Sequence, residues 1–265
     1  MIIREITDFL ESIAPLNIQE AYDNSGLIIG DPDVEFNGAL ICLDTTPEVV
    51  DECIALDYNL IISHHPVIFK GLKKINNDTY IGRAVIKAIK NNIAVYAIHT
   101  NLDNAFKDGV SAKIAYKLGL QNLELLNPVL IPSSGEAGYG TGIVAELPEP
   151  MHDLTFLSFL KHKLGLKCIK YTNLPGKPVR KIAICGGSCS FLIDKALNAG
   201  ADVFISSDFK YHEFFDAENK MIIADIGHYE SEIFTIELIF DKLINNFSNF
   251  AARLTSVVTN PIKYL

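Results

Sequence analysis

The chain has 265 residues, a net charge of −9, 49% hydrophobic and 21% charged residues. It can bury a large core, is too apolar for a disordered polymer, and is long enough for two small domains. An acidic chain repels a phosphate backbone, and no Lys/Arg stripe with interleaved aromatics compensates, which disfavours nucleic acid as a partner. No run reaches the roughly 18 apolar residues of a membrane span, and even Ile233–Phe240 is broken by Thr235 and Glu237. Arg4, Glu5 and Asp8 stand where a signal peptide needs apolar residues, so a cytoplasmic location is expected.

The five cysteines (42, 53, 168, 185 and 189) are an odd number and read as reduced thiols. The spacing Cys185-x3-Cys189 would make half of a zinc site, but no second Cys or His pair stands at finger spacing. Cys185 reads as a small residue ending a strand.

In chain order, the first apolar runs are Ala39-Leu-Ile-Cys-Leu, Asn59-Leu-Ile-Ile-Ser and Ile93-Ala-Val-Tyr-Ala-Ile. Continuous apolar runs suit parallel strands covered on both faces. Between the first two, Pro47 through Leu56 opens with Pro and acids and carries Val49, Val50, Cys53 and Ile54, the pattern of an amphipathic helix. A second helix is expected over Arg83–Lys90. Together these form a β-α-β-α-β series.

Residues 127–180 are punctuated differently, at Asn127-Pro, Ile131-Pro-Ser-Ser-Gly, Gly138-Tyr-Gly and Pro148-Glu-Pro. Within them Thr141–Glu146 and Lys167–Tyr171 read as strands, and Leu154–Leu164 as a helix ended by Gly165. The β-α-β design then recurs: a strand over Lys181–Cys185, a helix over Phe191–Ala199, a strand over Ala201–Ser206, a short helix near 211–218 and a strand over Met221–Asp225. Shifting the first half by 144 positions sets Cys42 on Gly186, Ile61 on Ile205 and Ser63 on Ser207 without a gap. Internal pseudo-symmetry and the general likeness of β-α-β units both account for this. If the symmetry is real, His64 and Asp208 occupy equivalent strand ends. Tyr229–Phe247, with Ile233, Ile236, Phe240, Leu243, Ile244 and Phe247 on one face, is expected as a single long helix.

Chemistry gathers at the strand ends. Ser63-His64-His65-Pro66 follows one strand, at the carboxyl edge where parallel sheets place their sites. Alternation relaxes there, so neighbouring imidazoles can reach two separate ions. For the pair alone, two solvated loop histidines explain the sequence as well. His99-Thr-Asn-Leu-Asp103 follows the third strand, and Asp103 is a hard oxygen ligand or, equally, a cap or turn residue. Asp225-Ile-Gly-His228-Tyr-Glu-Ser-Glu232 follows the last strand of the second half. One helical turn stacks His228 on Glu232, as a site or as a surface pair. Four of seven histidines at three strand ends, each beside carboxylates, favour a shared site. Mixed imidazole and carboxylate donors suit zinc, manganese, iron, cobalt or nickel better than calcium. Asp208-Phe-Lys210-Tyr-His212-Glu213 either lines the same cavity or caps and solvates a helix. His152 and His162 read as surface residues.

Taken together, Asp23-Asn-Ser-Gly26-Leu, Ser63-His-His-Pro66, His99-Thr-Asn-Leu-Asp103, Cys185-Gly-Gly187, Asp208-Phe-Lys-Tyr-His212 and Gly227-His-Tyr-Glu-Ser-Glu232 resemble the family of GTP cyclohydrolase I type 2 homologues, also called NIF-three-like proteins. Tyr22 stands where that family commonly has Trp, and Cys189 departs from its glycine-rich turn. Residues 127–180 are too few for the large central domain of many relatives, so the chain looks like the compact form. The resemblance implies an α/β protein of two pseudo-symmetric three-layer domains with mostly parallel sheets. The domains are expected at 1–99 plus 227–265 and at 100–226, with the metal site between them.

The resemblance also implies two divalent ions: one on His65 and Asp103, one on His64 and His228, with Glu232 bridging. It implies ring-shaped homohexamers, with which a mean hydropathy of +0.21 is compatible. The activity it implies is metal-dependent hydrolysis that opens the purine imidazole ring of a nucleotide such as GTP, with His99, Lys210 or His212 moving protons or holding phosphate. No phosphate-cradling Gly-x4-Gly-Lys-Ser/Thr loop is present to support that substrate independently. The alternatives are a non-enzymatic metal carrier or scaffold and a phosphoesterase using the same ions.

Overall fold

A computed structural model describes residues 1–129 and 138–265. The turn expected at Ile131-Pro-Ser-Ser-Gly falls outside the described residues. In chain order the structure forms α1 (Ile3–Ile13), β1 (Gly26–Ile29), β2 (Ala39–Cys42), α2 (Pro47–Ala55), β3 (Leu60–Ser63), α3 (Tyr80–Lys90), β4 (Ala94–Ala97) and α4 (Thr100–Asp103). There follow α5 (Val110–Leu118), β5 (Gln121–Val129), β6 (Tyr139–His152), α6 (Asp153–Leu164), β7 (Lys170–Tyr171), β8 (Pro178–Ser188), α7 (Ile193–Asn198), β9 (Val203–Ser207), β10 (Ile222–Asp225) and α8 (His228–Glu232). The chain closes with α9 (Thr235–Asn246) and β11 (Ala252–Leu254).

These elements divide into two compact units. The first holds Met1–Leu102 and Thr235–Pro261, the second Asp103–Phe234 and Ile262–Leu265. The first unit has a five-stranded sheet in the order β1-β4-β3-β2-β11. Its β2, β3, β4 and β11 run parallel, and only β1 is antiparallel, at the edge beside β4. Every residue of β2, β3 and β4 is buried, which is why their sequences are continuously apolar. Alternate residues Leu40, Cys42, Ile61 and Val95 pack against Val49, Val50 and Cys53 of α2 and Ala84, Val85 and Ala88 of α3. Thr46 and Thr79 cap those two helices.

The second unit is built on a six-stranded sheet in the order β5-β6-β8-β9-β10-β7. The expected parallel set is its centre, β8-β9-β10, but β5, β6 and β7 join antiparallel, so this sheet is mixed where a mostly parallel one was expected. Of the added strands, β5 and β7 are edge strands whose largely exposed pattern lacks the continuous apolar run of a covered strand, whereas β6 lies between β5 and β8 and is buried over residues 140–145. Both faces of the sheet are covered. Ile182, Ile184, Val203, Ile205 and Ile222 meet α5 and α6 through Ile114, Leu118, Phe156 and Leu160. Ala183, Cys185, Phe204 and Ile223 face Leu192, Ile193 and Ala196 on the other side. His64 directly follows β3 and Asp208 directly follows β9, each the first residue after the middle strand of its β-α-β unit.

Three further expectations change. The single helix over Tyr229–Phe247 is two, α8 and α9, parted at Ile233–Phe234. The segment changes core at that point, since α8 packs on β8 of the second unit and α9 on β2 of the first. The strand expected over Lys167–Tyr171 shortens to β7. Cys185 and Cys189 are joined as a disulfide rather than standing as thiols, because the turn between them brings their Cα atoms to 6.1 Å, within bridging reach. Cys42 and Cys53 are buried free thiols, and Cys168 is exposed. Among the described residues no helix is long and apolar enough to cross a membrane.

After β11 the chain is tied to α2 through Glu52, whose Oε1 accepts the Ser256 amide (2.9 Å) and hydroxyl (2.7 Å) and whose Oε2 accepts from Thr255. Burial pushes the Glu52 carboxyl up, but these hydrogen bonds outweigh it and hold it below its ordinary value. A carboxyl depressed on folding stabilises above its unfolded value, about 4.3, and loses that contribution as pH falls through the lower folded value. Glu52→Gln is therefore expected to melt below the wild type at pH 7. The gap should narrow as melting is followed from pH 5 to pH 3. A gap independent of pH would assign the loss to packing alone.

Candidate metal centre

In the first unit, three histidines meet beyond the carboxyl ends of β3 and β4. The ladder continues past β3: the His64 amide donates to Cys42 O (3.1 Å), the His65 amide to Leu43 O (2.9 Å) and the Ile98 amide to Ser63 O (2.9 Å). Both imidazoles are thus fixed by backbone bonds although they lie outside the strand. His64 is fully buried, and His65 and His99 are partly so. Ring centroids stand 5.0 Å apart for His64 and His65, 5.2 Å for His64 and His99, and 5.3 Å for His65 and His99. One ring nitrogen of each lies within 4.8 Å of the others, a group that could hold a metal ion.

The proton on each ring is assigned by its partner. His64 Nδ1 lies 2.8 Å from Ile98 O, and a carbonyl only accepts, so Nδ1 carries the hydrogen and Nε2 the lone pair. His65 Nδ1 donates to Asp44 Oδ1 at 2.7 Å, and His99 Nδ1 to Asp23 Oδ1 at 2.8 Å. The Asp23 side chain is shielded from solvent. It also accepts from the Asn24 amide, the Ser25 hydroxyl, and the Thr100 amide and hydroxyl. Burial pushes its carboxyl up, yet His99 and these donors hold it far below the usual carboxylate range.

In the second unit, Asp103 closes α4, and one of its carboxylate oxygens lies within 4.8 Å of one of Glu232's. Gly227, at φ +90°, turns the chain out of β10 so that His228 opens α8. His228 Nδ1 donates to Asp208 Oδ2 at 2.6 Å, and its Nε2 lies 3.0 Å from Glu232 Oε2 one turn on. Burial alone would lower the His228 pKa, but the two carboxylates push it up to about 11. The buried Glu232 carboxylate rests on the irregular last residues of β8: the Gly187 amide donates to Ser231 Oγ (2.9 Å), and a Cβ at Gly187 would clash with Glu232 Oε1. Beside His228, a hollow of about 150 Å³ is lined by Cys168, Lys170, Asp208, Asp225 and Tyr264.

Of the other residues singled out from sequence, Lys210 is exposed, and its amide donates to Glu213 Oε2 at the start of the helical turn Tyr211–Ala217. His212 is exposed in an aromatic cluster, 5.2 Å from the Tyr211 ring and 6.2 Å from that of Phe215. His152 and His162 are exposed. Sequence reasoning missed Asp44, which stands just past β2 at the same sheet edge as His64; that position was the signal available. It also missed Lys170, whose ammonium pairs with the buried Asp225 at 2.6 Å and lines the hollow beside His228.

The Duf34/NIF3 (NGG1p interacting factor 3) family model matches residues 1–261. A protein of Clostridium perfringens called GTP cyclohydrolase 1 type 2 homolog is 36% identical over 88% of this chain and 87% of its own. The Campylobacter jejuni protein of the same name is 31% identical, with both chains covered in full. Among solved structures, Staphylococcus aureus protein SA1388 matches with a TM-score of 0.91 and 30% identity over 100% of this chain and 99% of that one. A Bacillus cereus protein related to NIF3 matches with a TM-score of 0.89 and 27% identity over the same shares of the two chains.

The Gly187 contact gives a direct test of how Glu232 is seated. Gly187 (φ +72°) and Gly200 (φ +71°) are both left-handed, but a Cβ at Gly200 meets nothing within 4 Å. Gly200→Ala should cost about 1–2 kcal/mol in chemical denaturation, from backbone strain alone. Gly187→Ala should cost more and should weaken manganese binding as well; equal losses in the two variants would show that Gly187 does not seat the carboxylate.

Proposed function

The chain belongs to the Duf34/NIF3 family, and from that premise we propose a dinuclear metal centre of hydrolytic function. In this reading His65 and Asp103 would hold one divalent ion, His64 and His228 would hold the other, and Glu232 would be shared by both. The observation that carries it is the orientation of the imidazoles. His64, His65 and His228 each commit Nδ1 to an oxygen acceptor, the arrangement by which proteins aim Nε2 at a metal. The donor set of imidazole nitrogens and carboxylate oxygens fits zinc, manganese, iron, cobalt or nickel. When bound, such ions polarise a substrate oxygen and lower the pKa of water to about 7.

The protein's own groups supply the rest. His99, with Nδ1 held by Asp23, keeps Nε2 as a proton acceptor beside His64 and His65, and serves as the base. The substrate proposed is GTP, whose C8 is attacked by water to open the imidazole ring and, after a second hydrolysis, leaves as formate. Lys210 and His212 hold the phosphates from the surface of the second unit. The name carried by the Clostridium and Campylobacter relatives supports this choice of substrate. We place the protein in the cytoplasm as a ring-shaped homohexamer, for which light scattering should give six times the chain mass.

Purified protein is expected to take up two equivalents of manganese or zinc in a calorimetric titration. The loaded protein should release formate from GTP, and Glu232→Ala should lose both metal stoichiometry and turnover. Asp23→Asn should leave metal uptake intact and cut turnover by about 10²-fold or more. Stoichiometric metal uptake with no turnover of GTP would replace the hydrolase by a metal carrier or scaffold. Absence of uptake would remove the centre itself.

A further inference from the structure

We propose that Cys185 and Cys189 are a redox-exchangeable pair, closed by disulfide reagents and opened by thiols, that controls how the Gly186–Gly187 turn supports Glu232. The coupling to metal rests on the reading of Glu232 as a ligand; the exchange chemistry does not.

Cys185 lies near the end of β8, and Cys189 stands just before the helical turn Ser190–Leu192. Their bond encloses only three residues, two of them the glycines that meet α8. The turn is sewn to its neighbours through the backbone. Gly186 N–H donates to Ser111 Oγ (3.3 Å), Gly187 N–H to Ser231 Oγ (2.9 Å), and Ser206 Oγ donates to Gly187 O (2.8 Å). Gly187 can approach the Glu232 carboxylate only because it lacks a Cβ. The bond therefore clamps both ends of a segment that backs this carboxylate, and opening it frees the backbone where Glu232 rests.

A short enclosed loop restricts the unfolded chain little, so this bond gains less from loop closure than a long-range one. Weakly stabilised disulfides of this kind are the ones thiols reduce. Cys189 is 6% exposed and Cys185 2%, so attack falls first on the Cys189 sulfur. In the closing direction, the Cys189 thiolate displaces one thiolate from an external disulfide to give a mixed disulfide. Cys185, losing its proton, then attacks the Cys189 sulfur and expels the second thiol; two protein thiols are oxidised and one external disulfide is reduced to two thiols. The buried Cys53, whose thiol burial pushes up to about 12, stays protonated and takes no part.

The full chain is equilibrated with reduced or oxidised dithiothreitol, unfolded in maleimide, and weighed. Five adducts are expected after reduction and three after oxidation, with the two lost adducts mapping to Cys185 and Cys189. Manganese, which binds oxygen and nitrogen in preference to thiolate, is then titrated into both forms, and reduction is expected to weaken its binding by about tenfold. Hydrogen exchange of peptides spanning 183–191 and 228–234 should rise on reduction. Cys185→Ala and Cys189→Ala should each mimic the reduced form, and since both states of the wild type are compared directly, the conclusion does not depend on either variant folding. Five adducts under both conditions would overturn the exchange chemistry. A pair that forms yet leaves manganese affinity and exchange unchanged would overturn the coupling. If manganese binds neither form, the dinuclear reading fails, and hydrogen exchange alone decides whether the pair governs the turn.

Discussion

An imidazole offers a lone pair in a chosen direction only if its other nitrogen is made to keep the proton, and this protein enforces that choice with oxygen acceptors. Ile98 O does so for His64, Asp44 for His65, Asp23 for His99 and Asp208 for His228. Three of the four acceptors are carboxylates, which hold the ring more strongly than a neutral acceptor and make Nε2 more basic. If these acceptors were lost, the rings would rotate or exchange tautomers, and Nε2 would no longer be held in one direction.

The sheets make this arrangement possible. Parallel strands bring their carboxyl ends to one edge, so residues far apart in sequence become neighbours there without long loops. In the first unit the residues just past β2, β3 and β4 supply Asp44, His64 with His65, and His99. The ladder bonds running past the strand ends carry sheet rigidity into the site, which loops alone would not provide. The second unit uses the same edge differently. Asp208, held at φ +59°, follows β9, and His228 follows β10 through the left-handed Gly227.

Covered parallel strands were legible because burial on both faces writes itself into a short continuous run, as in Leu60-Ile-Ile. The histidine clusters were legible because they sit directly after such runs. What the residues could not reveal depends on contacts distant in sequence. Asp44 and Asp23 carry no local mark of their role until the fold sets them against His65 and His99, 21 and 76 positions away. The break between α8 and α9 was hidden because apolar periodicity runs straight through Ile233 and Ile236; the change of core that causes it is tertiary. β5 and the ends of β6 escaped because half-exposed hairpin strands lack the continuous pattern. The pairing of Cys185 with Cys189 depends on the tight glycine turn, which the count of five cysteines did not disclose.

The path of the chain through the first unit has a consequence for synthesis. Strand β11, Ala252–Leu254, pairs with β2, Ala39–Cys42, after the whole of Asp103–Phe234 has been laid down elsewhere. A ribosome making this protein must therefore release the first β-α-β series with the edge of β2 still open. That edge waits while some 150 further residues are translated, at roughly 5–20 per second. Unpaired edges template aggregation, so the nascent protein passes through a window of tens of seconds in which its first sheet is vulnerable.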